Sequence, residues 1–452
     1  MNNNTFHIVH FRDITSWSVS QQKEHDFGYT DSYPMVAIGR FLCRNKTAID
    51  ILDGKKYKRL SIHSKNGGIE VRDEIDGRRI GTKKQFVVKM GQFALSKIDA
   101  RNGAFGIVPK EADGAIITSN FWTYDVDNSV INTSFLTLLT TTESFLKFSE
   151  MASNGTTNRH YLQEKLFLEQ RIPLPSLDEQ NNIVDVYNCA NANIEQHKQR
   201  IKSEEISFYS YFENTLGLSD QIQQSLNAGN LQFCSFKEMT NWGVSKLVNN
   251  RKSPLNSSKY KVVELGKLAE INPKTDISKF KGTDSITFIP MEDISAEDGS
   301  LINNREIKKT KVKGYTKFQN GDIIWARITP CMQNGKSAVV DGLMNGKGCG
   351  STEFHVIRMK SKLILVQYVQ ILLRYKKTLK YAQQFLTGSA GQQRVPASFL
   401  SSLRIPIPPI AIQEEIISHY LKLIDLKMAF RQKIEQETRT RDTNFEKTIF
   451  AQ

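Results

Sequence analysis

The sequence predicts an α+β chain: two β-rich domains separated by two long antiparallel coiled-coil-like helices, related by a pseudo-twofold internal repeat. Three observations predict it. The stretch RIPLPSLDEQNNIVDVY, beginning at Arg171, returns as RIPIPPIAIQEEIISHY at Arg404. Short segments rich in β-branched and aromatic residues, broken by Gly and Asp, precede each copy. A run free of Gly and Pro, Asp178 to Leu216, follows the first copy with apolar residues at helical spacing.

The repeat runs through the whole chain. Trp17-Ser18-Val19-Ser20 reappears as Trp242-Gly243-Val244-Ser245, Tyr33 as Tyr260, and MGQFALSKI around Gly91 as NGDIIWARI around Gly321. Asn102-Gly103 matches Asn334-Gly335, Ser119 matches Ser351, and Arg159 matches Arg394. The order is kept while the offset drifts only between 225 and 235. That pattern is duplication of a module of roughly 230 residues, not a short solenoid repeat.

Residues 1–170 form the first β-rich domain. Within it KQFVVKMGQFALSKI alternates in short stretches and breaks at Gly91, as strands joined by a turn do. FIPMEDI, GDIIWARI and TEFHVIRM read the same way in the second domain, residues 242–403. A helical stretch closes each domain: NTSFLTLLTTTESFLKFSEM in the first, KLILVQYVQILLRYKKTLKYAQQFL in the second. Pro173 and Pro175, like Pro406, Pro408 and Pro409, cannot continue a helix interior but can launch a new helix.

The segments they open, 171–216 and 404–452, predict long helices. Ile183, Tyr187, Ala190, Ile194, Ile201 and Phe208 make a coiled-coil seam. In the second segment Ile416, Tyr420, Leu423, Phe430 and Ile434 make one stripe, and Ile417, Leu421, Ile424 and Met428 another beside it. The economical partner for each helix is the other. About 35 helical residues span on the order of 50 Å, or roughly 15 base pairs of duplex. Pro173, Pro175, Ile183, Tyr187, Pro406, Pro408, Ile416 and Tyr420 are the candidates for helix packing and for docking a partner helix. Residues 217–241 have no counterpart in the repeat and read as a linker.

The chain has 452 residues, 39% of them apolar, and a formal net charge of +14, which points to a polyanionic partner, with nucleic acid foremost. MNNNTFHIVHFRD lacks the apolar core of a signal peptide, and LILVQYVQILL is short and interrupted by Gln367 and Gln370. A cytoplasmic location is expected. Cys43, Cys189, Cys234, Cys331 and Cys349 are scattered and form no C-x-x-C pair, as reduced thiols without a zinc site would be.

Two divergent β-rich modules, each followed by an I-P-[LI]-P…Q motif and a long helix, resemble the specificity subunit of type I restriction-modification systems. The resemblance covers about residues 17–440, and SKIDARNGAFG, GDIIWARITPCMQNGK and GSTEFHVIR look like that family's recognition-domain signatures. It implies that the domains are target recognition domains, each reading one half of a split, asymmetric site on double-stranded DNA. The helices would be spacers that fix the gap and dock two methyltransferase subunits; restriction and translocase subunits could join. The chain would hold no catalytic site and no cofactor. S-adenosylmethionine, and ATP and Mg where present, would belong to the partners.

The residues fit that division. The only Pro-Pro pair, Pro408-Pro409, lies between isoleucines rather than in an Asn/Asp-Pro-Pro-aromatic loop. No G-x-x-x-x-G-K-[ST] loop occurs, and the histidines lack metal-ligand spacing, as surface or satisfied core residues would. For DNA contact the candidates fall in three groups. Lys97, Arg101 and Asn102, with Arg327, Gln333, Asn334 and Lys336, occupy the turn after each central strand, where Arg and Lys suit guanine edges and Asn and Gln suit adenine. The shared Asn-Gly equally fits a tight turn. Arg159 and Arg394 end small, polar, Gly-containing loops that suit a phosphate or a hinge. Lys309, Lys311 and Lys313, like KKYKR from Lys55, are either DNA-facing or a solvated charged face. Two rivals remain open: a related system whose partner fuses methyltransferase and nuclease, and a duplicated scaffold that binds RNA or protein.

Overall fold

A computed structural model describes residues 27–155, 160–218, 253–389 and 392–450. Contacts divide the chain into two compact units. One is the chain up to His197 together with the chain from Lys433 onward; the other is Lys198–Gln432. The matches at Trp17 and Trp242, the site candidate Arg159, and nearly all of the 217–241 linker lie outside the described residues.

The first unit is built on a four-stranded antiparallel sheet ordered Leu42–Asn45, Phe121–Val126, Phe93–Ser96, Phe105–Ile107. The second unit has the same order in Ala269–Ile271, Phe354–Met359, Ile323–Ala326, Ser337–Val339. Tyr124 lies opposite Phe93 in one, and Ile357 opposite Ile323 in the other. The duplication read from scattered letters is therefore a duplication of strand order. The central strands FALS and IIWA are buried at every position, as near-continuous apolar strands with both faces covered must be.

A second sheet in each unit breaks the likeness. The first unit has five strands, ordered 48–50, 84–87, 116–117, 56–62, 69–76; the second has four, ordered 305–308, 285–289, 347–350, 316–319. The units share a frame and differ in what is mounted on it.

Each frame is covered by helices. The stretch after the first sheet forms two helices, Thr133–Thr140 and Glu143–Met151, rather than one. Each helix of the first unit has its own N-terminal cap. The Asn132 side chain accepts from the N–H of Ser134 at 2.8 Å, and Thr142 Oγ1 accepts from Phe145 at 3.3 Å. The second unit repeats the division as Val366–Arg374 and Lys376–Ala382. Phe93, Phe145 and Phe167 in the first unit and Trp325, Tyr368 and Phe399 in the second are buried in the core that these helices help to form. Each such side chain contributes on the order of 1.5–3 kcal/mol by leaving water. No helix among the described residues is long and apolar enough to cross a membrane.

The Pro-led segments begin as strands. Arg171–Pro173 pairs antiparallel with Met35–Ala37, and Arg404–Pro406 with Val262–Glu264. Proline tolerates these places because each lies in a two-stranded ribbon with an open edge. Pro173, Pro175, Pro406 and Pro408 are all buried in their own units. Two helices of 40 residues follow, Leu177–Leu216 and Ile410–Ile449, each about 60 Å long at ~1.5 Å per residue. A capping box starts the first: Ser176 N–H donates to Glu179 Oε2 at 2.9 Å, and Glu179 N–H donates to Ser176 Oγ at 3.3 Å.

The helices pair antiparallel. Within the first unit the Tyr187 and Phe445 rings meet at 6.0 Å, and His197 reaches Glu437 at 3.2 Å. Within the second unit Phe208 meets Tyr420 at 5.4 Å, and Tyr211 stacks on His419 at 4.3 Å. Ile183 and Tyr187 pack on the first unit's core, while Ile416 and Tyr420 belong to the second's. The second stripe of the C-terminal helix is only partly covered: Leu421 and Met428 are 55% and 48% exposed.

One residue of the repeated motif fixes each helix to its domain. Gln180 is fully buried; its Nε2 donates to the carbonyls of Val130 (3.2 Å) and Pro175 (2.9 Å), and its Oε1 accepts from Asn132 N–H (2.8 Å). Gln413 makes the same three bonds, to Leu363 (2.9 Å), Pro408 (2.8 Å) and Leu365 (2.8 Å). Each of these partners lies 233 positions after its counterpart, the offset of the motif itself.

Candidate nucleic-acid interface

The residue after each central strand sits in one backbone frame. Lys97 N–H donates to the Asn120 carbonyl at 3.0 Å, and the Lys97 carbonyl accepts from Leu162 at 2.8 Å. Arg327 N–H donates to the Glu353 carbonyl at 2.9 Å, and its carbonyl accepts from Val395 at 2.8 Å. Lys97 and Arg327 are thus structural equivalents, as are Asn120 and Glu353. The bridge Thr387↔Arg394 repeats the pair Asn154↔Tyr161. Tyr161, rather than Arg159, therefore occupies the place of Arg394.

On this common frame the side chains differ. In the first unit Lys97 Nζ lies 5.4 Å from the centre of the Tyr161 ring, a cation–π contact. In the second, Arg394 forks onto Glu353 through Nε (2.9 Å) and Nη2 (2.8 Å), while Arg327 Nε reaches the same carboxylate at 3.2 Å. Two guanidiniums on one carboxylate leave an excess positive charge with further N–H donors. All three side chains are part-exposed, so the group is held in place yet open to a ligand. Such forks suit phosphate oxygens and guanine edges. Sequence reasoning passed over Glu353 because an acid is an unpromising DNA ligand; its place in GSTEFHVIR was the available signal.

The hydrogen bonds from Arg394, then those from Arg327, hold the Glu353 carboxyl below the usual glutamate range against the opposing effect of partial burial. A depressed folded-state value means the ion-pair contribution is fully present above the ordinary value of about 4.3 and is lost as pH falls through the lower folded value. Glu353→Gln is thus expected to lower the thermal midpoint by a constant margin from about pH 5 to 7, with the margin closing below about pH 4. Thermal denaturation across that range checks it; a margin independent of pH would exclude the ion pair as its source.

Ala100–Asn102 is one 3-10 turn, and Gly103 follows at φ +78°; Gly335 has φ +70°. Both glycines sit in the left-handed region, so the shared Asn-Gly is a turn device in both copies. Asn102, Gln333 and Asn334 are exposed and available to a ligand. Arg101 is half-buried, with a buried Nε that finds no partner. Lys336 is engaged, its Nζ donating to the Met291 carbonyl at 2.9 Å.

The basic runs divide. KKYKR lies opposite an acidic strand, with Lys56 facing Asp76, Lys58 facing Glu74 and Arg59 facing Asp73; Arg59 bonds Asp73 at 2.6 Å. Arg59 is thus paired, while Lys58 Nζ donates to the Glu111 carbonyl at 3.0 Å. In the second unit Arg305 pairs with buried Asp293 at 2.7 Å, and Lys309 Nζ donates to the carbonyls of Ser278 and Phe280. Lys311 and Lys313 stand exposed. Lys274 and Lys317, with Arg327, line an open cleft of about 630 Å³ whose inner wall carries His355. His355 is a satisfied core residue. Its Nε2 faces the Val395 carbonyl at 2.8 Å and so carries the proton, and burial lowers its pKa, which keeps the ring neutral.

A family model described as the type I restriction modification DNA specificity domain matches residues 42–204 and 257–438. The EcoAI type I restriction enzyme specificity subunit of Escherichia coli is 47% identical over 165 residues, which are 36% of this chain and 27% of that relative. The EcoEI specificity subunit of Escherichia coli is 40% identical over 167 residues, again 36% and 27%. The chain thus spans about a quarter of the length of the curated relatives it matches. A chain from a solved structure concerned with complex assembly and conformational transition of the type I R-M system aligns with a TM-score of 0.52 at 17% identity, covering 93% of this chain and 98% of its own; that likeness is one of fold. With the match falling on both halves of the repeat, the chain belongs to the type I restriction modification DNA specificity domain family.

Proposed function

We propose that the chain is a non-catalytic DNA-specificity subunit of a type I restriction-modification complex. Each β-rich domain reads one half of an asymmetric bipartite site in duplex DNA, and the paired helices set the spacing. One observation carries this reading: a single backbone frame is used twice with different side chains, Lys97, Asn120 and Tyr161 in one copy and Arg327, Glu353 and Arg394 in the other. A shared frame gives both readers one mode of approach to DNA. Unlike side chains give them unlike targets.

Lys311 and Lys313 supply phosphate contacts, while Asn102, Gln333 and Asn334 on the turns supply base contacts. A wrong base pair leaves such donors and acceptors unpaired, at about 1–3 kcal/mol each. The partly covered stripe at Leu421 and Met428 suits docking of one of two methyltransferase subunits. These partners carry the S-adenosylmethionine, ATP and Mg chemistry, restriction and translocase subunits join the same assembly, and the complex works in the cytoplasm.

The two readers act as linked modules that reinforce one another only at the permitted spacing. Inserting one heptad into both long helices is expected to lengthen the tolerated gap by about 3 base pairs and leave both half-sites unchanged. Footprinting of the assembled complex on duplexes with graded gaps checks it. An unchanged gap would remove the helices from the role of ruler.

A further inference from the structure

We infer that Arg374 is a positioning residue that ties the base-reading turn of the second domain to the second long helix. The inference rests on the DNA reading above and deepens it. Arg374 is the last residue of helix Val366–Arg374 and is 7% exposed. Among the described residues no carboxylate hydrogen-bonds to it. Its three partners lie on three separate elements. Nη1 donates to the Gly335 carbonyl at 2.5 Å, Nη2 to the Ala296 carbonyl at 2.9 Å, and Nε to the Tyr420 hydroxyl at 3.1 Å. A guanidinium buried without a carboxylate bonded to it is costly, so its retention calls for something a neutral side chain cannot do. What it does is fork: one planar group holds the turn, a neighbouring loop and the long helix together.

Two further features fit the loops to this clamp. Gln370, one helical turn earlier, donates through Nε2 to the carbonyls of Gly299 and Ser337, each at 3.1 Å. The turn is thus gripped on both sides, at Gly335 and Ser337. Gly299 has φ +77°, and a Cβ there would stand 2.6 Å from Gln370 Nε2 and 2.8 Å from Arg374 Nη1. Only glycine lets the loop close over the two side chains.

The first domain holds its equivalent turn by an unrelated device. Thr137 and Thr141 stand where Gln370 and Arg374 would, and their hydroxyls bond back to the carbonyls of Thr133 and Leu138. The tip of a hairpin grips the turn instead: Lys65 N–H donates to Asn102 at 2.6 Å and Asn66 N–H to Gly103 at 3.1 Å. The shared frame therefore folds without an arginine clamp, so the clamp serves the turn and not the fold. In the second domain a shift of the helix at Tyr420 reaches Gly335 through one side chain.

The test selects binding sites from a duplex pool randomised in both half-sites, using the full chain assembled with its methyltransferase partners. Tyr420→Phe keeps the ring and removes one acceptor; Arg374→Lys keeps the charge and loses the fork. Each is expected to reduce discrimination in the second half-site by about 3- to 10-fold, the range of one or more lost hydrogen bonds, and to leave the first half-site as in the unsubstituted chain. Unchanged discrimination in the second half-site overturns the inference, as does an equal loss in both halves. Should Arg374→Lys fail to fold, Tyr420→Phe decides alone. An unsubstituted assembly that selects no bipartite duplex overturns the DNA reading and this inference with it; one that does, beside unaffected variants, overturns only the inference.

Discussion

Replacing Asp322 by alanine is expected to destabilise the second unit by about 4 kcal/mol. The Asp322 carboxylate is 1% exposed and takes both arms of Arg358, Oδ1 from Nε at 2.8 Å and Oδ2 from Nη2 at 2.7 Å. Oδ2 also accepts the Gln319 N–H at 2.8 Å. Alanine would leave a guanidinium only 21% exposed without its counter-ion and a backbone N–H without an acceptor. The first unit shows how the site can be filled at lower risk. Gln92 stands in place of Asp322 and Asp125 in place of Arg358; Gln92 Nε2 donates to Asp125 at 2.7 Å, and its Oε1 accepts from Lys89 at 2.8 Å. The double exchange Asp322→Gln with Arg358→Asp is therefore expected to recover most of the loss. Urea denaturation of the three proteins measures both steps, and a single exchange costing under about 1 kcal/mol would show that the pair is solvated in the folded chain.

Replacing Gln413 by leucine is expected to cost about 3 kcal/mol, and Gln180→Leu a similar amount in the first unit. Leucine fills nearly the same volume, so packing changes little. What is lost is pairing: the Leu365 N–H and the carbonyls of Leu363 and Pro408 would be left without the glutamine. A lone buried N–H is the costly member, since a carbonyl tolerates under-satisfaction better. Because the clamp joins each helix to its own domain, loss of stability should be accompanied by faster amide exchange at Leu365 or Asn132. Denaturant titration with hydrogen exchange reads both; a loss confined to global stability would assign the glutamine to general packing.

The two clamps differ in how far the sequence revealed them. The glutamine was already in the repeated motif, since the offset of 233 is shared by the residue and all its partners. The Asp322–Arg358 pair was invisible, because it joins strands whose registers are set by tertiary pairing. The same holds for KKYKR. The letters leave it open between a DNA-facing run and a solvated face, and only the hairpin register shows Asp73, Glu74 and Asp76 opposite it.

By itself the sequence determined the duplication, the α+β class, the Pro-led starts of the long helices and their antiparallel pairing, because each follows from local periodicity and from letters that recur at a fixed interval. Tertiary structure alone decided which charges are free. It joined Arg327, Glu353 and Arg394 into one group, put Tyr161 rather than Arg159 at the equivalent place, and buried Arg374 against the turn. Those outcomes depend on contacts between residues tens of positions apart. Strand register and side-chain reach fix such contacts, and neither leaves a periodic trace in the chain.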